Sequence, residues 1–150
     1  MRIALSLICI LFGAFGWVGQ LVSAIHYPLA QRLGLQEKSE GTDALFRIAE
    51  LNTARWDVCV LWTLPLAGIL MLVEHHLWPY VSLIAGGIYL DTAGREAAKM
   101  VSLRKAGVRV GSSKDLWIAA IFFSVMAAIS LAVIVYALRY LGMSATTPRA

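Results

Sequence analysis

The residues with the clearest potential for chemistry are an acid and two histidines, Glu74, His75 and His76, between two apolar runs. Imidazole nitrogens and carboxylates bind zinc, copper or iron, and histidine exchanges protons near neutral pH. Adjacent histidines on a helix point about 100° apart, so both could bind one ion only where the backbone leaves the helix. The trio is therefore a candidate metal site or, alternatively, a polar turn between helices. No resident cofactor is predicted.

A second candidate site is acidic and lies at the far ends of the same two apolar runs. Asp57 precedes the first run, Asp91 follows the second, and Arg95 is one helical turn further on. Carboxylates within a membrane often mark ion or proton routes, although an Asp–Arg pair at this spacing is also an ordinary helix salt bridge. A hairpin turning near the histidines would bring Asp57 to the depth of Arg95, and Arg55 to the depth of Glu96.

A basic stretch before the last apolar run is a candidate site for an anionic lipid headgroup. It combines cations, glycines and backbone donors at a predicted helix start, which suits a phosphate group. Retention of positive charge on the cytoplasmic side explains the same cations without a ligand. The candidate residues are Arg104, Lys105, Arg109 and Lys114.

The composition indicates that a lipid bilayer surrounds the elements that carry these sites. Hydrophobic residues make up 59% of the 150 residues, charged residues only 15%, and the mean hydropathy is +0.72, which is more apolar than a soluble domain. Apolar blocks predict spans at about residues 3–25, 57–74, 77–94 and 115–139, the two shorter middle blocks forming a hairpin. We therefore predict an all-α polytopic membrane protein: one domain, a four-transmembrane-helix bundle, with a polar tail at 144–150.

The distribution of cations predicts the orientation. Ten of the thirteen Lys and Arg residues lie in two connections, four in residues 27–57 and six in residues 91–115. By the positive-inside bias these connections are cytoplasmic, helices 2 and 3 extend into the cytoplasm, and both termini face outward (N-out/C-out). The expected location is the bacterial cytoplasmic (inner) membrane. The first span also resembles a cleavable signal peptide, but cleavage would place the following basic connection outside, so a retained helix is predicted.

Small residues recur along the first and last spans at helical spacing. In lipid, such residues let helix backbones approach closely. Pro65 is expected to kink the second span, with Thr63 able to satisfy a freed carbonyl. Cys9 and Cys59 fall at different depths and are expected to stay unpaired. The candidate packing residues are Gly13, Gly16, Gly19, Ala120, Ser124, Ala128 and Ala132.

These patterns favour a small non-enzymatic integral membrane protein that works by helix association, as a homo-oligomer or as an accessory subunit of a larger membrane complex. One alternative is a channel or transporter for a small ion or solute. A second is a metal- or cofactor-dependent membrane enzyme centred on residues 74–76. A nucleic-acid partner is not expected, because the net charge of +4 does not form a basic face with interleaved aromatics.

Overall fold

A computed structural model describes residues 1–146 of the chain, and its regular structure is helical. A short 3-10 turn occupies Ser39–Gly41, and the β-type pairing within these residues is a single bridge between Thr42 and Val110. The predicted all-α class is confirmed. The helices are α1 (Arg2–Ile25), α2 (Tyr27–Arg32), α3 (Ala44–Val60), α4 (Thr63–Leu72), α5 (Trp78–Lys105) and α6 (Ser113–Thr146). The predicted polar tail therefore begins inside α6, and its residues 147–150 lie outside the described part.

Three helical stretches are long and apolar enough to cross a membrane: Arg2–Ile25, Ala44–Leu72, which comprises α3 and α4, and Ser113–Met143. These stretches are consistent with the predicted integral membrane protein. The predicted third span lies in α5, which is not among the three. Its apolar part is short, because Asp91 and Arg95 follow residues 78–90 directly.

The helices pack mainly in chain order. Helix α1 lies against α3 and α4, α4 lies against α5, and α5 lies against α6. Phe12 of α1 also stacks on Phe122 of α6, with ring centroids 5.3 Å apart. The main core holds the buried residues Cys9, Leu61, Leu64, Ala67, Ala85, Tyr89, Ala93, Met126 and Val133. Both cysteines are free, as expected.

The two ends of the molecule are distinct. At one end Arg2 forms an ion pair with Glu74, so the start of α1 lies beside the turn between α4 and α5; we call this the hairpin end. The opposite end carries the polypeptide between α1 and α3 and that between α5 and α6, which the bridge from Thr42 to Val110 joins. We call this the connection end.

The second predicted span is interrupted at residues 61–62, between α3 and α4. Pro65 has no N–H, so the carbonyl of Leu61, four residues earlier, loses its helical donor. The Tyr89 hydroxyl of α5 donates to that carbonyl at 2.7 Å. Thr63 Oγ1 donates to the carbonyl of Val60 at 2.8 Å. The break lies where the proline predicted a kink, and side chains replace the missing backbone donor.

Helix α1 also supports this break. Trp17 Nε1 donates to the carbonyl of Val58 at 2.9 Å. A Cβ at Gly13 would lie 2.5 Å from Pro65 Cδ, a distance that side chains do not tolerate. The absence of a side chain at Gly13 therefore lets α1 reach the proline ring directly.

Candidate functional site

Charged side chains of α3 and α5 meet near the connection end and form what we call the charged cluster. Helix α3 contributes Glu50 and Asp57, which are seven residues apart and so share one face. Helix α5 contributes Arg95, Glu96 and Lys99. The cluster exists because both helices continue past their apolar segments and their polar side chains reach one another there.

Lys99 lies between two carboxylates of the cluster. Its Nζ is 2.6 Å from Glu50 Oε1, forms a second ion pair with Glu96 and donates to Thr53 Oγ1 at 3.2 Å. Three oxygen acceptors therefore surround the ammonium group, which carries three donors. Burial disfavours the charged form of Lys99, but Glu50 and Glu96 outweigh burial, so the pKa of Lys99 lies above its ordinary value. Lys99 is therefore held as a cation.

Arg95 joins a buried acid to an exposed one. Its Nη2 donates to Asp57 Oδ1 at 3.3 Å, and its Nε lies 3.9 Å from Asp91 Oδ2. The Asp57 side chain is 0% exposed, whereas that of Asp91 is 74% exposed. The structure thus brings together the three residues that the sequence suggested as an ion or proton route. The predicted pairing of Asp57 with Arg95 is present, but Glu96 pairs with Lys99 and not with Arg55.

A cavity of about 290 Å³ lies beside Arg95 and opens towards the surroundings. Its polar lining comes from Asp91, Thr92 and Arg95, and its apolar lining includes Trp56 and Ile88. Because Arg95 contacts both the cavity and Asp57, the cavity leads to the edge of the charged cluster.

Three carboxylate oxygens of the cluster are buried without a hydrogen bond. Glu50 Oε1, Asp57 Oδ2 and Glu96 Oε1 have no hydrogen-bond partner among residues 1–146, and of these only Glu50 Oε1 lies in an ion pair, 2.6 Å from Lys99 Nζ. Burying an unpaired carboxylate oxygen is costly, because its hydration is lost and nothing replaces it. The cluster therefore has capacity to accept a further donor.

Sequence reasoning missed Glu50, Glu96 and Lys99 as site residues. Their spacing relative to Asp57 and Arg95 was a usable signal, since residues three, four or seven apart share a helix face. The signal was weak, because these residues lie outside the apolar blocks, where solvated charges are ordinary.

The trio at the hairpin end occupies an exposed turn. Glu74 has a positive φ of 54° and pairs with Arg2, while His75 Nδ1 accepts a hydrogen bond from the Leu77 amide at 3.3 Å. The rings of His75 and His76 lie 4.4 Å apart. Within residues 1–146, no three His, Cys, Asp or Glu side chains are grouped so that they could hold a metal ion. These contacts favour the polar turn, and metal binding by the trio stays a prediction.

The four basic candidates for lipid binding have different surroundings. Arg109 is paired with Asp43, whose Oδ1 lies 2.9 Å from both Nε and Nη2; the Arg109 amide donates to Oδ2 at 2.9 Å. The hydrogen bond from the Arg109 amide lowers the pKa of Asp43 most, and the hydrogen bond from the Arg109 guanidinium lowers it further. Lys105 and Lys114 are exposed. Arg104 borders a groove of about 490 Å³ between α5 and α6, which is lined by small residues including Ala93, Gly94, Ala97, Ala120 and Ser124.

Of the seven candidate packing residues, some pack against another part of the chain and others do not. Gly13 is buried against α4, whereas a Cβ at Gly16 would meet nothing within 4 Å, and one at Gly19 would touch only Leu35, at 3.8 Å. The four small residues of α6 are all exposed, on the face opposite its buried Met126, Ser130, Val133 and Ala137. This exposed row comprises Ala120, Ser124, Ala128 and Ala132, and we call it the α6 stripe.

Two titratable groups of the first connection are perturbed by partial burial. Burial raises the pKa of Glu37 to about 7, opposed by a backbone hydrogen bond and aided by the negative charges of Glu50 and Asp115. Burial also raises the pKa of Tyr27 to about 12. Glu37 is therefore the carboxyl of this connection that titrates nearest neutral pH.

No family model, curated protein or solved structure matches this chain.

Proposed function

We propose that this protein works by helix association in a membrane, as a homo-oligomer or as an accessory subunit of a larger membrane complex. In this proposal four helical segments cross the bilayer, both termini lie outside, and the connection end is cytoplasmic. The bacterial cytoplasmic membrane is the proposed location, since the connections carry most of the cations.

The packing of α5 supports a fourth crossing. Near its start, Trp78 stacks on Tyr136 of α6 at 5.5 Å. Near its end, Arg104 borders the same groove as Leu116, at the start of α6. Helix α5 thus runs beside α6 over most of the stretch that is long and apolar enough to cross a membrane. If α6 crosses the membrane, α5 lies at the same depths in the bilayer.

The observation that carries the association proposal is the exposure of the α6 stripe. Small residues on a membrane helix let a second helix approach closely and gain van der Waals contact. Gly13 already serves such a contact inside the chain. The four residues of the α6 stripe are instead exposed. The stripe is therefore available to a helix of another copy or of another membrane protein.

The stripe is also continuous with the groove between α5 and α6. Ala120 and Ser124 belong to the stripe and line the groove as well. Ser124 Oγ donates to the Ala120 carbonyl within its own helix at 2.8 Å, so its hydroxyl needs no partner from lipid. A docked helix would meet a surface of small, internally satisfied residues.

Association is tested by the mass of the gently solubilised protein, with bound detergent subtracted. Wild type is expected to be oligomeric or to retain a partner from native membranes. Ala128→Leu adds bulk in the middle of the stripe and is expected to lower the association constant about tenfold, the equivalent of roughly 1.4 kcal/mol, which reduces the associated fraction. Ala4→Leu is the matched control, since Ala4 is an exposed alanine of α1. A monomeric wild type that captures no membrane partner would refute the proposal.

A channel or transporter for a small ion is the second candidate. The observation in its favour is the cavity lined by exposed Asp91 and by Arg95, since Arg95 also contacts buried Asp57. Ion flux into vesicles containing the protein, abolished by Asp91→Asn, would support it. Absence of flux under every imposed ion gradient would exclude it.

A further inference from the structure

The charged cluster contains more buried acid than buried base. Glu50, Asp57 and Glu96 have side chains that are at most 12% exposed. Two cations face them, and one of these, Arg95, is shared with exposed Asp91. If every group were ionised, the buried part would carry an excess negative charge, which is expensive where water is excluded.

The hydrogen bonds point to the same imbalance. Lys99 is already in contact with Glu50, Glu96 and Thr53. Asp57 Oδ2 and Glu96 Oε1 remain buried and without a donor among the described residues. A neutral carboxylic acid would remove the excess charge and supply an O–H donor at the same time.

We propose that the carboxyls of Glu50, Asp57 and Glu96 together bind one exchangeable proton. The proton comes from water and converts one carboxylate into a carboxylic acid; on release it returns to water. The cavity beside Asp91 and Arg95 is the exchange path, because it reaches the cluster from outside. This proton site does not depend on the association proposed above.

The electrostatic surroundings of the site come from several elements. Arg95 pairs with Asp57, Lys99 pairs with Glu50 and Glu96, and the negative charge of Glu96 acts on both Glu50 and Asp57. Tyr89 lies close enough to Asp57 for the two groups to interact electrostatically. From α2 and the first connection, Tyr27 and Glu37 interact with Glu50. The titratable and charged groups facing the three carboxyls are therefore Tyr27, Glu37, Tyr89, Asp91, Arg95 and Lys99.

A proton is favoured over a metal ion as the occupant. Metal ions need several oxygen or nitrogen ligands converging on one point. No group of three such acidic, histidine or cysteine ligands exists within residues 1–146. A proton needs only one carboxylate oxygen and an acceptor close by.

Infrared spectroscopy tests the proposal, because a protonated carboxyl has a C=O stretch that a carboxylate lacks. The full-length chain carrying Glu37→Gln, in phosphatidylcholine vesicles, is the reference, since Glu37 would itself contribute near pH 7. A carboxylic-acid band is expected at pH 7 and should disappear reversibly at alkaline pH. Adding Asp57→Asn or Glu96→Gln removes the excess charge and should at least halve the band.

Glu40→Gln is the matched control, because Glu40 is an exposed acidic residue outside the charged cluster; it should leave the band in place. Each variant is read only if its helical circular dichroism equals that of the reference, and Glu50→Gln replaces either buried variant that fails to fold. Absence of the band at pH 7 overturns the proposal. A band that is unchanged by the buried substitutions also overturns the proposal, whatever the control variant shows.

Discussion

The hairpin end and the connection end carry the same kinds of side chain in opposite surroundings. At the hairpin end, Glu74 and both histidines are exposed, and the Arg2–Glu74 pair is open to its surroundings. At the connection end, Asp57 and Glu96 are buried between two helices. Glu74, His75 and His76 resemble a functional site only because they are adjacent in sequence. Asp57 and Glu96 are chemically unusual because they are acidic groups that are buried.

The difference between the ends follows from helix length. Helix α4 stops at Leu72 and α5 begins at Trp78, so the hairpin end is a short turn with little around it. At the other end, α3 and α5 continue beyond the apolar blocks while still in contact. Charges placed in that interface lose water and depend on each other. Substitutions should therefore have large effects at the connection end and small effects at the hairpin end.

The largest effect is expected from Lys99→Met. The change leaves Glu50 and Glu96 buried without their shared cation, which costs about 3 kcal/mol when a buried pair loses one partner. The loss should be smaller at pH 5 than at pH 8, because protonation neutralises the stranded carboxylates. Thermal unfolding followed by tryptophan fluorescence measures both effects. Lys105→Met, an exposed cation of the same helix, is the control and should be nearly neutral; equal losses in both variants would contradict the comparison.

An intermediate effect is expected at Glu37, where a substitution should change how folding stability depends on pH. Its pKa is raised from 4.5 to about 7, so the folded state binds this proton more tightly than the unfolded state. The associated stability is fully present below about pH 4.5 and is lost as the pH rises through about 7. Glu37→Gln should reduce the loss of stability between pH 5 and pH 8 by on the order of 2 kcal/mol.

The pH experiment compares unfolding temperatures of wild type and Glu37→Gln across that range. Glu40→Gln provides the control, since Glu40 is an exposed carboxylate in the same connection. Its curve should follow that of wild type. Identical slopes for all three proteins would show that Glu37 titrates as an ordinary surface acid.

The smallest effect is expected at the hairpin end. Glu74→Gln removes an ion pair whose side chains are 37% and 63% exposed, and such pairs contribute less than about 1 kcal/mol. The unfolding temperature should barely change, and added salt should erase the difference. A loss as large as that of Lys99→Met would mean that the hairpin end also carries buried, mutually dependent charges.

Much of the fold was predictable because it depends on local patterns. Apolar blocks gave the helices, Pro65 gave the break, and the near-equal arms of the hairpin gave the register that pairs Asp57 with Arg95. Composition alone does not identify α5 as a span, because its apolar segment is short. Its position beside α6 depends on packing, which composition does not report. Three helical stretches, and not four, are long and apolar enough to cross a membrane.

The remaining contacts depend on which face of each helix packs against which neighbouring helix. The spacing of residues in the sequence does not contain that information. Gly13 and Gly16 belong to one sequence pattern, yet only Gly13 contacts α4. Lys99 resembled an ordinary solvated cation until α3 supplied Glu50 as its partner. Tyr89 gave no sequence signal at all for its contact with Leu61, 28 residues away.

That contact bears on how the protein reaches its membrane. In hydrocarbon, a backbone carbonyl without a donor costs several kcal/mol, and Pro65 leaves the Leu61 carbonyl in this condition. Its replacement donor, Tyr89, is on the following helix and is synthesised later. In the proposed arrangement with four crossings, the segment containing Pro65 would therefore gain from waiting at the insertion machinery until α5 has emerged, so that both enter the lipid side by side.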